Sequence, residues 1–255
     1  MTTSQTQFDA HAERYAASTV HHAGPSLAVL RKFAEPCAAD VAVDVATGTG
    51  STAFALAPHV AQVIGIDVAS KMLEQGRARA AREGISNVQF LDGSAEDIPL
   101  ADGASTLVTS RHAPHHFHDV RRFLAEVRRI LTPKGRFVLA DQITPDPSMH
   151  EWVDGWQRLH DPSHVRQRTA EEWHAEAQAA GFVATREEVV PYRLEFAWWT
   201  ETSGCSGDSV NALREHARSA SAEVRHAMGL EYDAFGDVSA YRLPVLVMRL
   251  DPINS

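Results

Sequence analysis

The sequence predicts an α/β fold with a doubly wound, seven-stranded and mostly parallel sheet. A β-branched run at residues 41–45 leads through Gly48 and Gly50 into an alanine-rich segment, a pattern typical of a buried strand, a tight turn and a helix N-terminus. Two further apolar runs, at residues 63–67 and 88–92, follow at regular intervals, and each ends in an acid. Parallel strands joined by helices have their carboxyl ends at one edge of the sheet, where ligands bind.

Three acids and a glycine turn predict a nucleotide-cofactor site at that edge. Asp44, Asp67 and Asp92 belong to three successive strands and are expected to face one ligand. Gly48 and Gly50 let the backbone turn sharply and let a ligand approach, and the helix that follows presents N–H groups. Asp67 lies about 20 residues beyond the glycines, where such folds place a carboxylate against ribose hydroxyls.

The middle of the chain supplies the next helices and strands of this fold. Residues 70–83 predict a helix with Ser70 as its N-cap and Gly84 as its stop. The fourth and fifth strands are predicted at residues 107–110 and 137–141, with an amphipathic helix between them.

The C-terminal part departs from a simple repeat of strand and helix. Residues 142–168 carry three prolines and two tryptophans, a composition that predicts an irregular functional loop rather than a core element. A capping box at residues 169–172 opens another helix. Strands are predicted at residues 182–196 and 238–250, and Pro244 is expected to make part of the latter an edge or a bulge.

Four sequence motifs occur in order at residues 43–50, 65–73, 93–99 and 130–138. Together they resemble the class I S-adenosylmethionine-dependent methyltransferases of the small-molecule type, related to the ubiquinone/menaquinone C-methyltransferases. The resemblance spans residues 8–250. It implies a Rossmann-like fold, S-adenosylmethionine as the cofactor, and methylation of carbon, oxygen or nitrogen in a small acceptor, for example in secondary or quinone metabolism.

The resemblance also implies which residues hold the cofactor. Gly48 and Gly50 would let backbone N–H groups reach its methionyl end, and Asp67 would accept the ribose hydroxyls. Met72 would pack on the adenine, which the residues after the third strand would line. The full predicted set is Asp44, Ala46, Thr47, Gly48, Gly50, Asp67, Val68, Met72, Asp92, Ser94, Ala95, Glu96 and Arg111.

A proton acceptor is expected only for some acceptors, because methyl transfer from a sulfonium depends mainly on alignment and exclusion of water. Histidine suits this role near neutral pH. His115 and His116 follow the fourth strand and are the first candidates, with a structural role for each left open. His21 and Tyr15 come next, because relatives use this N-terminal segment as a lid over the cofactor.

The fourteen histidines raise the alternative of a metal site. His112, His115, His116 and His118 are close in sequence, but their spacing matches no recognised zinc motif and no cysteine accompanies them. No metal is therefore predicted. The stretch that begins at His160 resembles one in the same relatives, except that arginine is expected at that position, which leaves the acceptor open.

The chain is expected to form a single domain with two covering segments. Residues 1–35 are predicted as an N-terminal helical lid, residues 36–193 and 237–255 as the cofactor-binding core, and residues 194–236 as a helical, aromatic cap insertion. Tryptophans in and near the cap indicate either an apolar or aromatic acceptor or the core of the cap itself. They are Trp152, Trp156, Trp198 and Trp199.

The amino-acid composition limits the classes of binding partner that are expected. A net charge of -9 disfavours binding to nucleic acid and to anionic membranes, because both bind basic surfaces. The sequence has no apolar stretch long enough to predict insertion into a membrane. Two cysteines are too few for a disulfide framework. The sequence therefore predicts a cytoplasmic protein with a small-molecule substrate, and it leaves open whether the protein forms a homodimer.

Two other functions are compatible with parts of the pattern. A protein of the same fold can bind S-adenosylmethionine and act as a cyclase, an isomerase or a binding protein, because function lies in the site rather than the fold. An NAD-dependent oxidoreductase is the other alternative, since residues 48–53 satisfy a loose G-x-G-x-x-A fingerprint. The position of Asp44, the residues after Asp92 and the Pro-Lys-Gly turn at residues 133–135 resemble the methyltransferase pattern instead.

Overall fold

The computed structural model describes residues 5, 6, 8, 9 and 24–253. The predicted candidates Tyr15 and His21 lie outside the described residues. The helices of the described part are α1 Pro25–Ala34, α2 Ser51–Leu56, α3 Ser70–Glu83, α4 Val120–Ile130, α5 His150–His160, α6 Ala170–Ala179, α7 Phe196–Thr202, α8 Gly207–Arg218 and α9 Ala222–Ala227. The strands are β1 Val41–Val45, β2 Gln62–Asp67, β3 Val88–Asp92, β4 Ser105–Arg111, β5 Leu131–Gln142, β6 Phe182–Glu195, β7 Glu231–Tyr232 and β8 Val238–Pro252.

The sheet has the order β3-β2-β1-β4-β5-β8-β6, with the two-residue β7 paired to β8. Strands β1 to β5 pair in parallel, and β8 pairs antiparallel to both β5 and β6. The predicted α/β fold with a mostly parallel sheet is confirmed, and β7 adds to the seven expected strands. The strand order reverses between β1 and β4, which is the point where open α/β sheets bind ligands.

Two apolar cores cover the two faces of the sheet. Ala42 belongs to one core, whereas Val43 and Val45 belong to the other, because successive side chains of a strand point to opposite faces. Helices α1, α2, α3, α5 and α8 contribute to the first core, and α4 and α6 contribute to the second. This double coverage explains why the parallel strands are almost continuously apolar.

The prediction of an irregular loop over residues 142–168 is wrong in its centre, where α5 lies. Trp152 and Trp156 are four residues apart and therefore share one face of this helix. The Trp156 ring is fully buried and stacks between Trp152 and Trp199, with ring centroids 5.4 and 5.3 Å away. The prolines lie outside α5, and its aromatic face is covered by the segment predicted as a cap.

Pro244 was expected to make part of its strand an edge or a bulge. As a whole β8 is an inner strand between β5 and β6, but Pro244 lies just beyond the point where its pairing with β5 ends. The ladder between β5 and β8 ends at Gln142 and Val245, so the nitrogen of Pro244 is not needed there. The Pro244 carbonyl accepts the N–H of Ile143 at 3.0 Å, and the residue opposite on β6 is Pro191. A proline is tolerated inside this sheet because it is placed where its missing N–H leaves no partner unpaired.

The helix ends agree with the sequence signals except at one position. Gly84 ends α3 in the left-handed conformation with φ 67°, and Thr169 and Glu172 form the predicted capping box of α6. Ser70, however, is the first residue of α3 rather than its N-cap, and its hydroxyl donates to Asp92 at 2.8 Å. Within the described residues, no helix combines the length and the apolar character needed to cross a membrane.

Replacing Trp156 by alanine is expected to lower the free energy of unfolding by about 3–5 kcal/mol, because it removes a fully buried indole. Phe235 is 93% exposed, so Phe235→Ala is the control and should change that free energy by less than about 0.5 kcal/mol. Urea unfolding followed by circular dichroism measures both variants. Similar losses in the two would contradict the placement of Trp156 in the core.

Candidate active site

A cavity of about 460 Å³ lies at the carboxyl ends of the parallel strands. Its wall includes residues at or just beyond the ends of β1, β2, β3, β4 and β5, together with residues from α5, β6 and α7. This volume is in the range of small-molecule and cofactor sites. Most of the predicted cofactor residues line it, namely Ala46, Thr47, Gly48, Asp67, Val68, Met72, Ser94, Ala95, Glu96 and Arg111.

The two glycines of the turn after β1 have different roles. Gly48 has φ 56°, and a Cβ placed on it would meet no atom within 4 Å, so its backbone is open to the cavity. Gly50 has φ 87°, and a Cβ there would lie 2.8 Å from the Phe90 ring and 2.9 Å from the Phe54 ring. Gly50 does not line the cavity and is required by packing, which differs from its expected role in ligand approach.

Asp67 ends β2 and holds the glycine turn against that strand. Its carboxylate accepts the N–H of Gly48 at 2.7 Å and the N–H of Ala69 at 2.9 Å. Burial raises the pKa of this carboxyl, and the two backbone N–H groups oppose that rise. The arrangement places a buried acid and an open backbone side by side on the cavity wall.

Of the three acids expected to face one ligand, Asp67 lines the cavity, whereas Asp44 and Asp92 do not. Asp44 pairs with Gly65, two residues before Asp67, so it lies deeper in the sheet. Its oxygens accept the hydroxyls of Thr47 and Thr109 at 2.7 Å each, and burial raises the pKa of Asp44 to about 6. Asp92 is exposed at the end of the edge strand β3, where its carboxylate accepts the hydroxyl of Ser70 at 2.8 Å.

Two wall residues have a strained backbone. Ala46 has φ 54° and His112 has φ 53°, a region that residues with a Cβ rarely occupy. The N–H of His112 donates to the Ala140 carbonyl at 2.8 Å, and its Nε2 lies 3.2 Å from the Ser26 hydroxyl. Strain of this kind persists only where surrounding contacts enforce it, and it concentrates at functional sites.

The predicted candidate His115 lies on the cavity wall beside Asp141, the penultimate residue of β5. His115 Nδ1 and Asp141 Oδ1 are 2.7 Å apart, and both side chains are buried. The backbone of His115 is held as well, because its carbonyl accepts the N–H groups of Val165 and Arg166 at 3.0 Å each. His115 therefore contacts two segments that are far from it in the sequence, the end of β5 and the segment that follows α5.

His116 also lines the cavity, but protein groups lie near both of its ring nitrogens. Nδ1 is 3.2 Å from the carbonyl and from the hydroxyl oxygen of Ser163, and Nε2 is 3.8 Å from Asp161 Oδ2. The neighbouring His164 has its Nε2 at 2.7 Å from Asp154. The imidazole rings of His115 and His116 are 4.2 Å apart.

Burial sets the ionisation of this cluster. It lowers the pKa of His115 to about 3 and that of His116 to about 3, and the neighbouring imidazoles add to the effect. Burial raises the pKa of Asp141 to about 7. Both candidate histidines are therefore uncharged near neutral pH, whereas Asp141 changes its ionisation there.

The histidines do not assemble a metal site among the residues that the structure describes. No group of three or more His, Cys, Asp or Glu in that part of the chain could hold a metal ion. His115 and His116 face carboxylates or Ser163 instead, as described above. Hydrogen bonding within the protein thus accounts for much of this histidine-rich sequence.

The part of the cavity wall formed by α5, β6 and α7 is largely aromatic. His160, at the position where arginine was expected, stacks on the Trp199 ring with centroids 3.7 Å apart, and its Nε2 lies 3.2 Å from the Trp199 carbonyl. Burial lowers the pKa of His160 to about 4, so this ring is also uncharged near neutral pH. Trp198, Leu194 and Leu243 line the same region.

Three buried acids of the site, Asp141, Asp154 and Asp161, were missed as candidates from the sequence. Asp141 had a usable signal, because it closes an apolar strand in the same way as Asp67 closes β2. Asp154 had none, because it lies on a helix that the sequence did not predict.

Both the sequence and the fold of this chain are similar to those of known methyltransferases. A family model described as a methyltransferase domain matches residues 43–139. The chain is 33% identical over 248 residues to the uncharacterized methyltransferase YcgJ of Bacillus subtilis, covering 97% of this chain and 98% of that protein. The crystal structure of YcgJ superposes with a TM-score of 0.86 at 32% identity, covering 90% and 99% of the two chains. A demethylmenaquinone methyltransferase of Clavibacter sepedonicus is 34% identical over 132 residues, covering 51% of this chain and 53% of that protein.

Gly50→Ala is expected to lower the free energy of unfolding by about 2–5 kcal/mol, because left-handed strain and overpacking against two phenylalanine rings add together. Gly48→Ala introduces only the left-handed strain, and it should lower the free energy of unfolding by about 1–2 kcal/mol. Thermal and urea unfolding of both variants measure the difference. A Gly50→Ala protein as stable as Gly48→Ala would contradict the packing role.

Proposed function

We propose that this chain, which belongs to the class I S-adenosylmethionine-dependent methyltransferases, methylates a small, largely apolar acceptor bound at the aromatic end of its cavity. One observation carries the proposal. One cavity is lined both by the open glycine turn and buried Asp67, which lie at the ends of β1 and β2, and by the stacked rings of His160 and Trp199, from α5 and α7. Cofactor and acceptor would therefore lie in one enclosed space, as transfer between them requires.

The glycine turn and its neighbours fit the cofactor. Gly48 leaves its backbone open, and we assign it to the methionyl end. Asp67 would accept the ribose hydroxyls, while Met72 and the segment of Ser94 to Glu96 would surround the adenine. Bound S-adenosylmethionine supplies an electrophilic methyl group on a sulfonium. Asp44 and Gly50 would act from behind the wall, by holding the turn in place.

The acceptor end supports an apolar or aromatic molecule. Trp198, Leu194 and Leu243 offer apolar surface in the cavity, and three of the histidines that line it, His115, His116 and His160, are uncharged near neutral pH. Demethylmenaquinone methyltransferases are among the relatives, which supports an acceptor from quinone or secondary metabolism.

Two segments would enclose the cavity. We propose residues 1–35 as a lid, which is supported by Phe8, whose ring packs edge-on against His116 at 5.1 Å. We propose residues 194–236 as a cap over the acceptor, with the core in residues 36–193 and 237–255. Trp199 supports the cap assignment, because it both lines the cavity and packs on α5.

The proposed setting is cytoplasmic, with a small molecule as the partner and no nucleic acid or membrane involved. The net charge of -9 and the two unpaired cysteines, Cys37 and Cys205, support it. Sedimentation of the purified chain would test the homodimer that the sequence leaves open. A non-methylating role and an NAD-dependent oxidoreductase are less favoured, because methyltransferases predominate among the relatives.

Asp67→Ala is expected to weaken S-adenosylmethionine binding roughly 30-fold or more, because it removes a charged acceptor for the ribose hydroxyls. Asp92→Asn is the matched control, since Asp92 lies at the end of the neighbouring strand but outside the cavity, and its affinity should stay within about two-fold. Isothermal titration calorimetry measures both, and circular dichroism checks folding. Equal affinities in folded Asp67→Ala and wild-type protein would contradict the assignment.

Methyl transfer itself is tested with methyl-labelled S-adenosylmethionine and a small-metabolite extract of the source cells. Label should enter one apolar fraction with the wild-type protein and should be lost with Asp67→Ala. Cofactor binding without label transfer or release of S-adenosylhomocysteine would contradict the proposal and favour a non-methylating role.

A further inference from the structure

We infer that His115 accepts a proton from an acidic hydroxyl group of the acceptor, a phenol or an enol, and that Asp141 is the positioning residue that keeps His115 Nε2 available. This inference rests on the proposed function, because it assigns roles within the same cavity. It separates two histidines that are equivalent in the sequence, and it gives a role to an acid that the sequence did not single out.

The contact between His115 and Asp141 is the first support. Their facing atoms, Nδ1 and Oδ1, are 2.7 Å apart, and Asp141 is 1% exposed. His115 Nε2 has no hydrogen-bond partner among the described residues, and His115 lines the cavity. The ring is thus fixed through one nitrogen and offers the other, which is the arrangement expected of an oriented proton acceptor.

His116 lacks this arrangement. Its Nδ1 faces both oxygens of Ser163, and its Nε2 lies 3.8 Å from the carboxylate of Asp161. Its ring also packs edge-on against Phe8. His116 therefore contacts the segment after α5 and the N-terminal Phe8. A structural role accounts for these contacts.

Asp141 decides which nitrogen of His115 carries the proton. When the carboxylate is ionised, Nδ1–H donates to it and Nε2 presents a lone pair. When Asp141 is protonated, its hydroxyl donates to Nδ1, so the neutral ring carries its proton on Nε2 and cannot accept another. Only the ionised form of Asp141 is therefore competent.

Several charged and titratable groups surround the pair and act on this equilibrium. His116 lies on the same short turn, and Arg168 precedes α6. The remaining groups come from α5 and the segment after it, namely Asp154, Asp161 and His164. These groups include both acids and bases, so the ionisation of Asp141 depends on the whole buried cluster.

The proton transfer balances without any further reactant. The proton leaves the acceptor oxygen for His115 Nε2, and the electron pair of the broken O–H bond stays on the acceptor. For a phenol, that pair forms the new bond from oxygen to the methyl carbon. For an enol, it becomes the π bond of the new carbonyl group, and the C=C electron pair forms the bond from carbon to the methyl group. In both cases the S–CH3 bond breaks, its electron pair stays on sulfur, and the sulfonium becomes a neutral thioether. The imidazolium formed is stabilised by the Asp141 carboxylate and loses its proton to water after product release.

Nuclear magnetic resonance tests the positioning role without cofactor or acceptor. The protein carries ¹⁵N-labelled histidine, and the His115 ring signals are assigned from their absence in His115→Asn. The wild-type ring should have its proton on Nδ1 at about pH 8, above the pKa of about 7 to which burial raises Asp141. Asp141→Asn should shift the ring toward the Nε2–H tautomer or a mixture. An unchanged tautomer in Asp141→Asn would overturn the inference.

Label transfer from methyl-labelled S-adenosylmethionine into the metabolite extract tests the chemical role. His115→Asn keeps a polar atom near Asp141 but lacks Nε2, so kcat should fall roughly 100-fold or more with cofactor affinity unchanged. Asp141→Asn should reduce kcat roughly 10- to 100-fold. His174→Asn is the matched control, because His174 forms an exposed pair with Glu187 at 2.7 Å and should retain wild-type transfer.

The pH profile gives an independent readout. The wild-type kcat should rise as the pH increases through about 7, because Asp141 must be ionised, and this rise should disappear in Asp141→Asn. Wild-type kcat in folded His115→Asn would overturn this inference and leave the proposed function intact. Cofactor binding without any transfer by the wild-type protein would overturn both.

Discussion

The reversal of strand order between β1 and β4 is the constraint on which the site depends. Because β1 has β2 on one side and β4 on the other, the connections leave the two sides in opposite directions, and a crevice opens at the carboxyl ends. Asp67, His112 and Asp141 stand at or just beyond the ends of β2, β4 and β5. The sheet therefore brings the buried carboxylates of Asp67 and Asp141 and the histidines that follow β4 to one edge.

Burial of ionisable side chains gives this crevice its chemical character. An isolated charge would be too costly there, so each buried histidine faces a carboxylate, a hydroxyl or a carbonyl. The same burial lowers the pKa of His115 and raises that of Asp141 toward neutrality. These buried histidine pairs contribute little net free energy of folding, because desolvation offsets their attraction. They fix the orientation of the imidazole rings, which a catalytic site requires.

Prediction from the sequence succeeded where the signal is local and failed where it depends on a neighbour. The capping box at Thr169 and the stop at Gly84 were correct, because each involves only a few adjacent residues. Asp44 and Asp92 were expected to face the same ligand as Asp67, but neither lines the cavity. Strand register places Asp44 deeper in the sheet, and Asp92 is exposed at the end of β3. The pairing of β8 between β5 and β6 could not be deduced from Pro244 alone.

The sequence by itself determined the α/β fold class and most of the predicted residues that line the cavity, because these depend on strand periodicity and on residues next to strand ends. The resemblance of its motifs to a known family supplied the type of cofactor. The tertiary structure alone decided the partners of the histidines. His115 and Asp141 are 26 residues apart, and His116 and Ser163 are 47 apart. Such contacts are set by how β4, β5 and the segment after α5 pack together, and no local pattern records that packing.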